Sequence, residues 1–365
     1  FHDQIQRHKA KSVLLIGIVF IVLLLIGYVI SLVFEPGYFF FIMIISIVIA
    51  KKEILELRRG WLFPLLMSFL SLATILSVWV ASQSFGAKLD SYNAYVAQLA
   101  ASGSSILPAP PQLFPLQLNR GGVEYLEVLG ALFAIVLGYG SIAKEKHRGT
   151  LQLLLTRPIV GFSIAAGKLG GLALVWFVVV VVLTALSLIS FVTIGHASLA
   201  AIDFQRTAIF ALTAWVYLIF WTALTMGITA LARRLTTGLV VSIVVWLSFV
   251  LVIPQIGDTM DPDNQVPGGL FSTLQIQKAD ELAVLDQFAG FDAIRNGLEV
   301  SSITKHFERI SFAFLGIKDK YNQQTLDFVF TDMWPYILTL VCATAAAIIF
   351  SLLATSRNNL QRKSL

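Results

Sequence analysis

The chain has 365 residues, 57% of them hydrophobic and 13% charged, with a formal net charge of +5 and a mean hydropathy of +0.82. A soluble domain of this size cannot hide so much apolar surface, so a soluble globular enzyme is excluded and an all-α polytopic membrane protein is expected. Cys342 is the one cysteine, and the five histidines fall in no HExxH or Cys/His cluster, so neither an internal disulfide nor a metal site is expected, and the positive charge reads as membrane topology rather than nucleic-acid binding.

The chain opens on "FHDQIQRHKAKSVLLIGIVFIVLLLIGYVI". A basic head precedes an apolar run over 13–34, with no small-residue cleavage site after it, which predicts an anchor rather than a removed signal. The first residue is Phe1 rather than Met, so the native start is expected upstream. Glu35-Pro36-Gly37 makes a tight turn. The next apolar stretch, 38–50, has only 13 residues, about 20 Å of helix at ~1.5 Å per residue. It must continue past residue 50, tilt little or thin the bilayer. Residues 1–50 are expected to form an N-terminal transmembrane hairpin. Their head resembles that of HtpX-type membrane zinc metalloproteases, which begin with a similar F-x-x-Q-I-x-x-[HN]-K-x-K pattern. The likeness implies an HtpX-like or other membrane or periplasmic partner. It implies no proteolysis, because the HExxH helix is absent from the sequence. At Lys51 the chain reads as starting again. A natural fusion, two pieces numbered as one, and an ordinary extra hairpin with chance similarity all stay open.

In "KKEILELRRGW", Ile54, Leu55, Leu57 and Trp61 form an apolar stripe. Lys51, Lys52, Arg58 and Arg59 are basic, with Glu53 and Glu56 between them. The pattern predicts a helix lying in the interface plane, its basic residues against anionic lipid headgroups. The plainer alternative is a basic flank to the next span. Further spans are predicted near 61–84, 125–142, 168–195, 208–232, 238–257 and 334–355. The segments 1–12, 51–60, 143–168, 233–237 and 356–365 carry 17 of the 26 Lys+Arg and only 4 of the 21 acids. The positive-inside rule therefore places them, and both termini, in the cytoplasm. Two outside segments are expected. Residues 86–123 contain "SSILPAPPQLFP", an extended polyproline-like stretch. Residues 258–333 open with the turn cluster "DTMDPDNQVPGG". From about 273 to 315 they show a helical pattern through Leu274, Leu282, Leu285, Phe288, Ile294 and Leu298. This is an external amphipathic segment of one or two helices. Glu124 and Glu127 are expected in the outer headgroup zone.

The segment "AKEKHRGTLQLLLTRP" falls between two spans. Glu145 to Arg148 are expected to begin a helix beneath a span. Leu151, Leu153, Leu154 and Leu155 form an apolar patch, and Pro158 stops the helix at Arg157. Such a helix fits a groove on a soluble partner, or its leucines are buried among neighbouring spans. The spacing is similar to the E-x-E-x-G-T-L-x-x-L-L-x-x-P pattern of ABC type-2 exporter permeases, in which G-K then opens the next span. Here the matching residues are Glu145, His147, Gly149, Thr150, Leu151, Leu154, Leu155 and Pro158, then Gly167-Lys168. His147 stands where the family pattern has its second acid. Gly161 stands where many members have an arginine, which leaves that arginine's headgroup contact without a bearer.

The resemblance covers residues 51–365. It implies a six-span ABC type-2 transmembrane domain with an interfacial helix and a cytoplasmic coupling helix. The implied coupling residues are Glu145, His147, Arg148, Gly149, Thr150, Leu151, Leu154, Leu155, Arg157, Pro158 and Lys168. It also implies a separate ABC ATPase in two copies, holding ATP and Mg, and export across a bacterial inner membrane. No phosphate-cradling loop is present: "GFSIAAGKL" has the wrong spacing and runs into a span. No catalytic residue is expected. Thr222, Thr225 and Thr229 share one helical face and are candidates for a pathway or dimer face, or for close helix packing. Six spans are few for a large-solute pathway, so a symmetric or related second copy is expected. The rivals are a non-transporting membrane scaffold and a protease-associated membrane subunit.

Overall fold

A computed structural model describes residues 39–101, 111, 113–148, 161–260, 274 and 289–355. The first arm of the expected N-terminal hairpin lies outside the described residues. The described elements are α1 (Phe39–Arg59), α2 (Leu62–Ala101), α3 (Arg120–Tyr125), α4 (Ala131–Arg148), α5 (Gly161–Thr193), α6 (Ala201–Leu231), α7 (Leu235–Leu247), α8 (Ile253–Thr259), α9 (Ala289–Ser301), α10 (Ile303–Phe314) and α11 (Leu326–Ala354). No strand occurs among the described residues. Among the described residues, six stretches are long and apolar enough to cross a membrane: Leu62–Ala101, Pro115–Lys146, Ser163–Thr193, Ala201–Leu231, Leu235–Gly257 and Leu326–Ala354. The chain is an all-α, multi-pass membrane protein.

Helix α1 is continuous through residue 50, where the sequence suggested a seam. Its last third carries Lys51, Lys52, Glu53, Glu56, Arg58 and Arg59, and it is not among the six spanning stretches. It packs lengthwise along α5 rather than across the foot of the bundle. The cause is a run of small residues. Ser163, Gly167 and Gly171 recur every four positions on α5 and bring the two backbones together. A Cβ on Gly167 would stand 2.8 Å from the Ser46 carbonyl oxygen, and one on Gly171 3.0 Å from that of Ala50. The Ser46 hydroxyl donates to the Ser163 carbonyl at 3.3 Å. Later residues of α1 meet later residues of α5, so the two helices run parallel.

Helix α6 is the hub and touches α4, α5, α7, α10 and α11. Against α4, which runs the same way, the approach is closest at Gly138, where a Cβ would lie 2.6 Å from the Thr222 carbonyl oxygen. Against the antiparallel α5, the Trp176 indole donates to the Thr222 hydroxyl at 2.9 Å, and Trp215 donates to the Ala173 carbonyl at 2.7 Å. The π-helical turn Leu126–Gly130 joins α3 to α4. Such turns disturb the regular carbonyl ladder. The Tyr217 hydroxyl donates to the Glu127 carbonyl there at 2.8 Å. Helices α3 and α4 with this turn form one spanning element.

Two expectations change here. The segment read as external from residue 258 sends α10 into the bundle as far as Tyr217, halfway along α6. Phe307 stacks on Tyr217 with centroids 4.4 Å apart, and Phe307, Ile310 and Phe314 are buried. Helix α10 is apolar along this face, and its backbone is satisfied at its end. Gly316 at φ +63° lets Ile317 N–H reach the Phe312 carbonyl at 2.9 Å and its own N–H reach that of Ala313 at 3.1 Å. This is a Schellman closure. Arg206 of α6 donates to the carbonyls of Phe314 and Gln324 beside it. Second, Glu127 is buried rather than at a headgroup surface, whereas Glu124 is exposed and pairs with Arg120 at 3.0 Å. The start of 86–123 is helical, because α2 continues to Ala101, and Pro115–Asn119 forms a 3₁₀ turn before α3.

The glycine contacts give a paired test. Gly138→Ala forces α4 away from α6, a strain of roughly 1–3 kcal/mol. Gly140, on the same helix, has nothing within 4 Å of an added Cβ, and alanine there gains about 0.5–1 kcal/mol of helix propensity. Thermal unfolding of the purified protein is expected to drop for Gly138→Ala and hold or rise for Gly140→Ala. Equal midpoints would contradict the close approach.

Candidate polar network at the end of α4

The end of α4 gathers charges from three helices. Lys168 of α5 is 3% exposed. Its ammonium contacts Glu53 of α1 at 3.0 Å and Glu145 of α4 at 3.3 Å. Lys52 joins from α1, 2.9 Å from Glu145 and 3.7 Å from Glu56. Glu53 and Glu145 are themselves buried. A buried ammonium needs this: alone in an apolar site it would cost several kcal/mol or lose its proton. Lys52 is half-exposed. Partial burial works against its charge, but hydrogen bonding to Glu145 and the fields of Glu145, Glu56 and Glu53 outweigh that and raise its pKa.

The network gathers residues that the sequence placed in two separate groups. Glu145 and Lys168 came from the coupling pattern, Lys52 and Glu53 from the basic helix. Lys51, Lys52, Arg58 and Arg59 are exposed, while Glu53 turns inward to Lys168. Lys168 therefore acts on the chain's own carboxylates. Glu145 to Arg148 end the spanning helix rather than begin a new one, because α4 runs unbroken to Arg148. The side chains of His147 and Arg148, and all of Gly149, Thr150, Leu151, Leu154, Leu155, Arg157 and Pro158, lie outside the described residues. Thr222, Thr225 and Thr229 are all fully buried inside the bundle, against α4, α5 and α7. Thr222 donates to the Leu218 carbonyl at 2.8 Å.

Sequence reasoning missed Lys146. Its ammonium donates to the carbonyls of Thr229, Ala230 and Ala232 at 3.0, 2.9 and 3.1 Å, at the end of α6. Nothing in local sequence marks this contact, since its partners lie more than eighty positions away. The small-residue spacing Ser163-x3-Gly167-x3-Gly171 was visible and is the signal that would have placed α1.

A second polar cluster sits at the other end, where α9 and α10 meet α11. Arg309 donates to Glu299 at 2.7 Å, to Asn296 at 2.8 Å and to the Tyr336 hydroxyl at 2.8 Å. Burial pushes the Glu299 carboxyl up, but Arg309, with Lys305 and Arg295, overrides it and leaves the carboxyl below the ordinary glutamate range. His306 is 2% exposed, with Nδ1 2.9 Å from the Ser302 carbonyl. Burial, then Arg309, lowers its pKa despite the Ser302 carbonyl.

The family model described as "ABC-2 family transporter protein" matches residues 47–360. The chain belongs to this family and is the membrane domain of an ABC transporter, a class that transports rather than catalyses and that works with an ABC ATPase subunit. No curated protein matches the chain.

The charges set two expected outcomes. Lys168→Met leaves Glu53 buried without its cation and takes one cation from Glu145, which keeps Lys52, and is expected to cost roughly 3–5 kcal/mol. Adding Glu53→Gln should recover part of it, and a double variant no more heat-stable than the single one would refute the pairing. Acid should loosen the α9–α10 hairpin in two stages. His306, whose folded pKa is depressed, stabilises fully above about 6.5 and less as pH falls below it. Glu299, also depressed, holds down past about 4.3 and is lost as it protonates below that. Amide exchange of residues 289–314 across pH reads both, and His306→Gln should remove only the upper stage.

Proposed function

We propose that this chain is the permease subunit of an ATP-driven exporter, and that it receives energy from a separate ATPase through residues 145–158. The observation that carries the reading is the family match over 47–360. The local arrangement supports it. A rigid, charge-paired helix end stands immediately before the Gly149–Pro158 segment. A segment that receives force needs a stiff attachment, and a buried three-helix ion network supplies one.

In this reading the α4 end, the α6–α7 turn and the end of α11 face the cytoplasm of a bacterial inner membrane, as the positive-inside distribution favours. Two ATPase copies hold ATP and Mg. A second permease copy, identical or related, completes the pathway. Closure of the ATPase pair on ATP moves the coupling segments, and the two bundles shift against one another. The exposed Lys51, Arg58 and Arg59 sit against anionic headgroups. The chain's own residues position and transmit, and the phosphoryl chemistry belongs to the partner.

Affinity purification from native membranes is expected to retain an ABC ATPase. Gly149→Pro should keep that assembly yet abolish the permease's effect on ATP hydrolysis. Retention of a periplasmic or protease partner without any ATPase would favour a scaffold instead.

A further inference from the structure

Helix α6 cannot close its own end. It stops at Leu231 with no glycine after it, and Ala232 is extended, at φ −62° and ψ 132°. The last carbonyls of a helix have no partner within it and carry the negative end of its dipole. Within α6's own end only the Ile228 carbonyl is taken, by the Ala232 N–H at 3.0 Å. Arg233 and Arg234 of the adjoining turn are exposed. The cap comes from another helix. Lys146 Nζ reaches Thr229, Ala230 and Ala232 at 2.9–3.1 Å, which uses all three of its N–H donors.

Its neighbour Glu145 points elsewhere. One residue is about 100° round a helix, so Glu145 reaches Lys168 of α5 and Lys52 of α1 while Lys146 reaches the α6–α7 elbow. Two consecutive residues thus fasten the end of α4 to α1, α5 and the end of α6 with its turn into α7.

We propose that Lys146 is a positioning residue for energy transfer: by capping α6 from α4 it makes the α6–α7 elbow move with the chain that leads into Gly149–Pro158, while Glu145 makes the matching attachment to α1 and α5. This rests on the reading of 149–158 as the segment the ATPase moves. A displacement at Arg148 then divides between two pairs of helices, and loss of the Lys146 cap leaves the α1–α5 side driven and the α6–α7 side slack.

The test uses the full chain with its co-purified ATPase, in a Cys342→Ser background because Cys342 is exposed. Arg233→Cys reports the elbow through its rate of labelling by N-ethylmaleimide, with and without Mg-ATP and orthovanadate. With Lys146 present the rate is expected to change on trapping. With Lys146→Met the ATPase stays bound and hydrolyses ATP, the trapping-dependent change is lost, and amides 229–232 exchange faster. Lys146→Arg, which keeps several donors, restores the change. Should Lys146→Met not fold, Lys146→Gln against Lys146→Arg decides: loss in Gln with retention in Arg supports the cap. An equal response to trapping with and without the lysine's donors overturns the inference while leaving the transporter reading intact. A chain with Lys146 in place that holds no ATPase overturns both.

Discussion

Lys168 sits where an ammonium cannot remain alone. At 3% exposure it has lost its water, and the energy of that loss is offset only by carboxylates held within contact distance. Glu53 and Glu145 meet this need from two other helices. Since loss of either carboxylate leaves the buried cation half compensated, the relative placement of α1, α4 and α5 is constrained at that point. The small residues Ser163 and Gly167 on the same helix make the arrangement sterically possible, because they let α1 approach near enough for Glu53 to reach. Charge supplies the constraint and glycine supplies the room.

The cost of leaving a polar group unpaired in apolar surroundings also shapes several other contacts in the bundle. Tyr217 places its hydroxyl on the carbonyl of a π-helical turn. Ser302, ahead of α10, donates to the Phe249 carbonyl at 2.7 Å. Arg206 and Gly316 together close the end of α10. Only because those ends are satisfied can the short helix α10 pack at the depth of Tyr217. Non-helical backbone is tolerated at such depth when protein rather than lipid surrounds it.

Much of this was legible in the sequence, for identifiable reasons. Span positions come from the length and apolarity of single segments, so six spanning stretches could be anticipated. The ends could not. The spanning stretch of α6 begins at Ala201, ahead of the predicted 208, because Asp203 and Arg206 are accommodated by local capping and by the α10–α11 turn. The four residues of the ion network were each singled out, but as two unrelated sets, since composition carries no information on which carboxylate meets which lysine. The helical pattern from about 273 to 315, through Leu274, Leu282, Leu285, Phe288, Ile294 and Leu298, suggests an external amphipathic segment, and α10 falls within it. Amphipathicity says only that one face is apolar, not whether lipid, water or protein meets it. The threonine face on α6 was visible as a face, but its burial depends on Gly138 and Gly238 on neighbouring helices.

The two ends of the bundle are built differently, and the difference bears on how motion would pass through it. At the end of α4 the contacts are charge to charge and charge to carbonyl, strong and directional, and they join that tip to α1, α5 and α6. Farther along, α4 meets the Thr222 backbone of α6 at Gly138, and on either side of Lys168 α1 meets α5 at Gly167 and Gly171, close to the Ser46 and Ala50 carbonyls. A close-packed interior of this kind has low compressibility and transmits strain. Force applied at a fastened tip is therefore carried along whole helices rather than absorbed near its point of entry. Helix α10, held at the opposite end by Arg309, Glu299 and Tyr336, rests on α6 and α11 and is the element such a displacement would reach last.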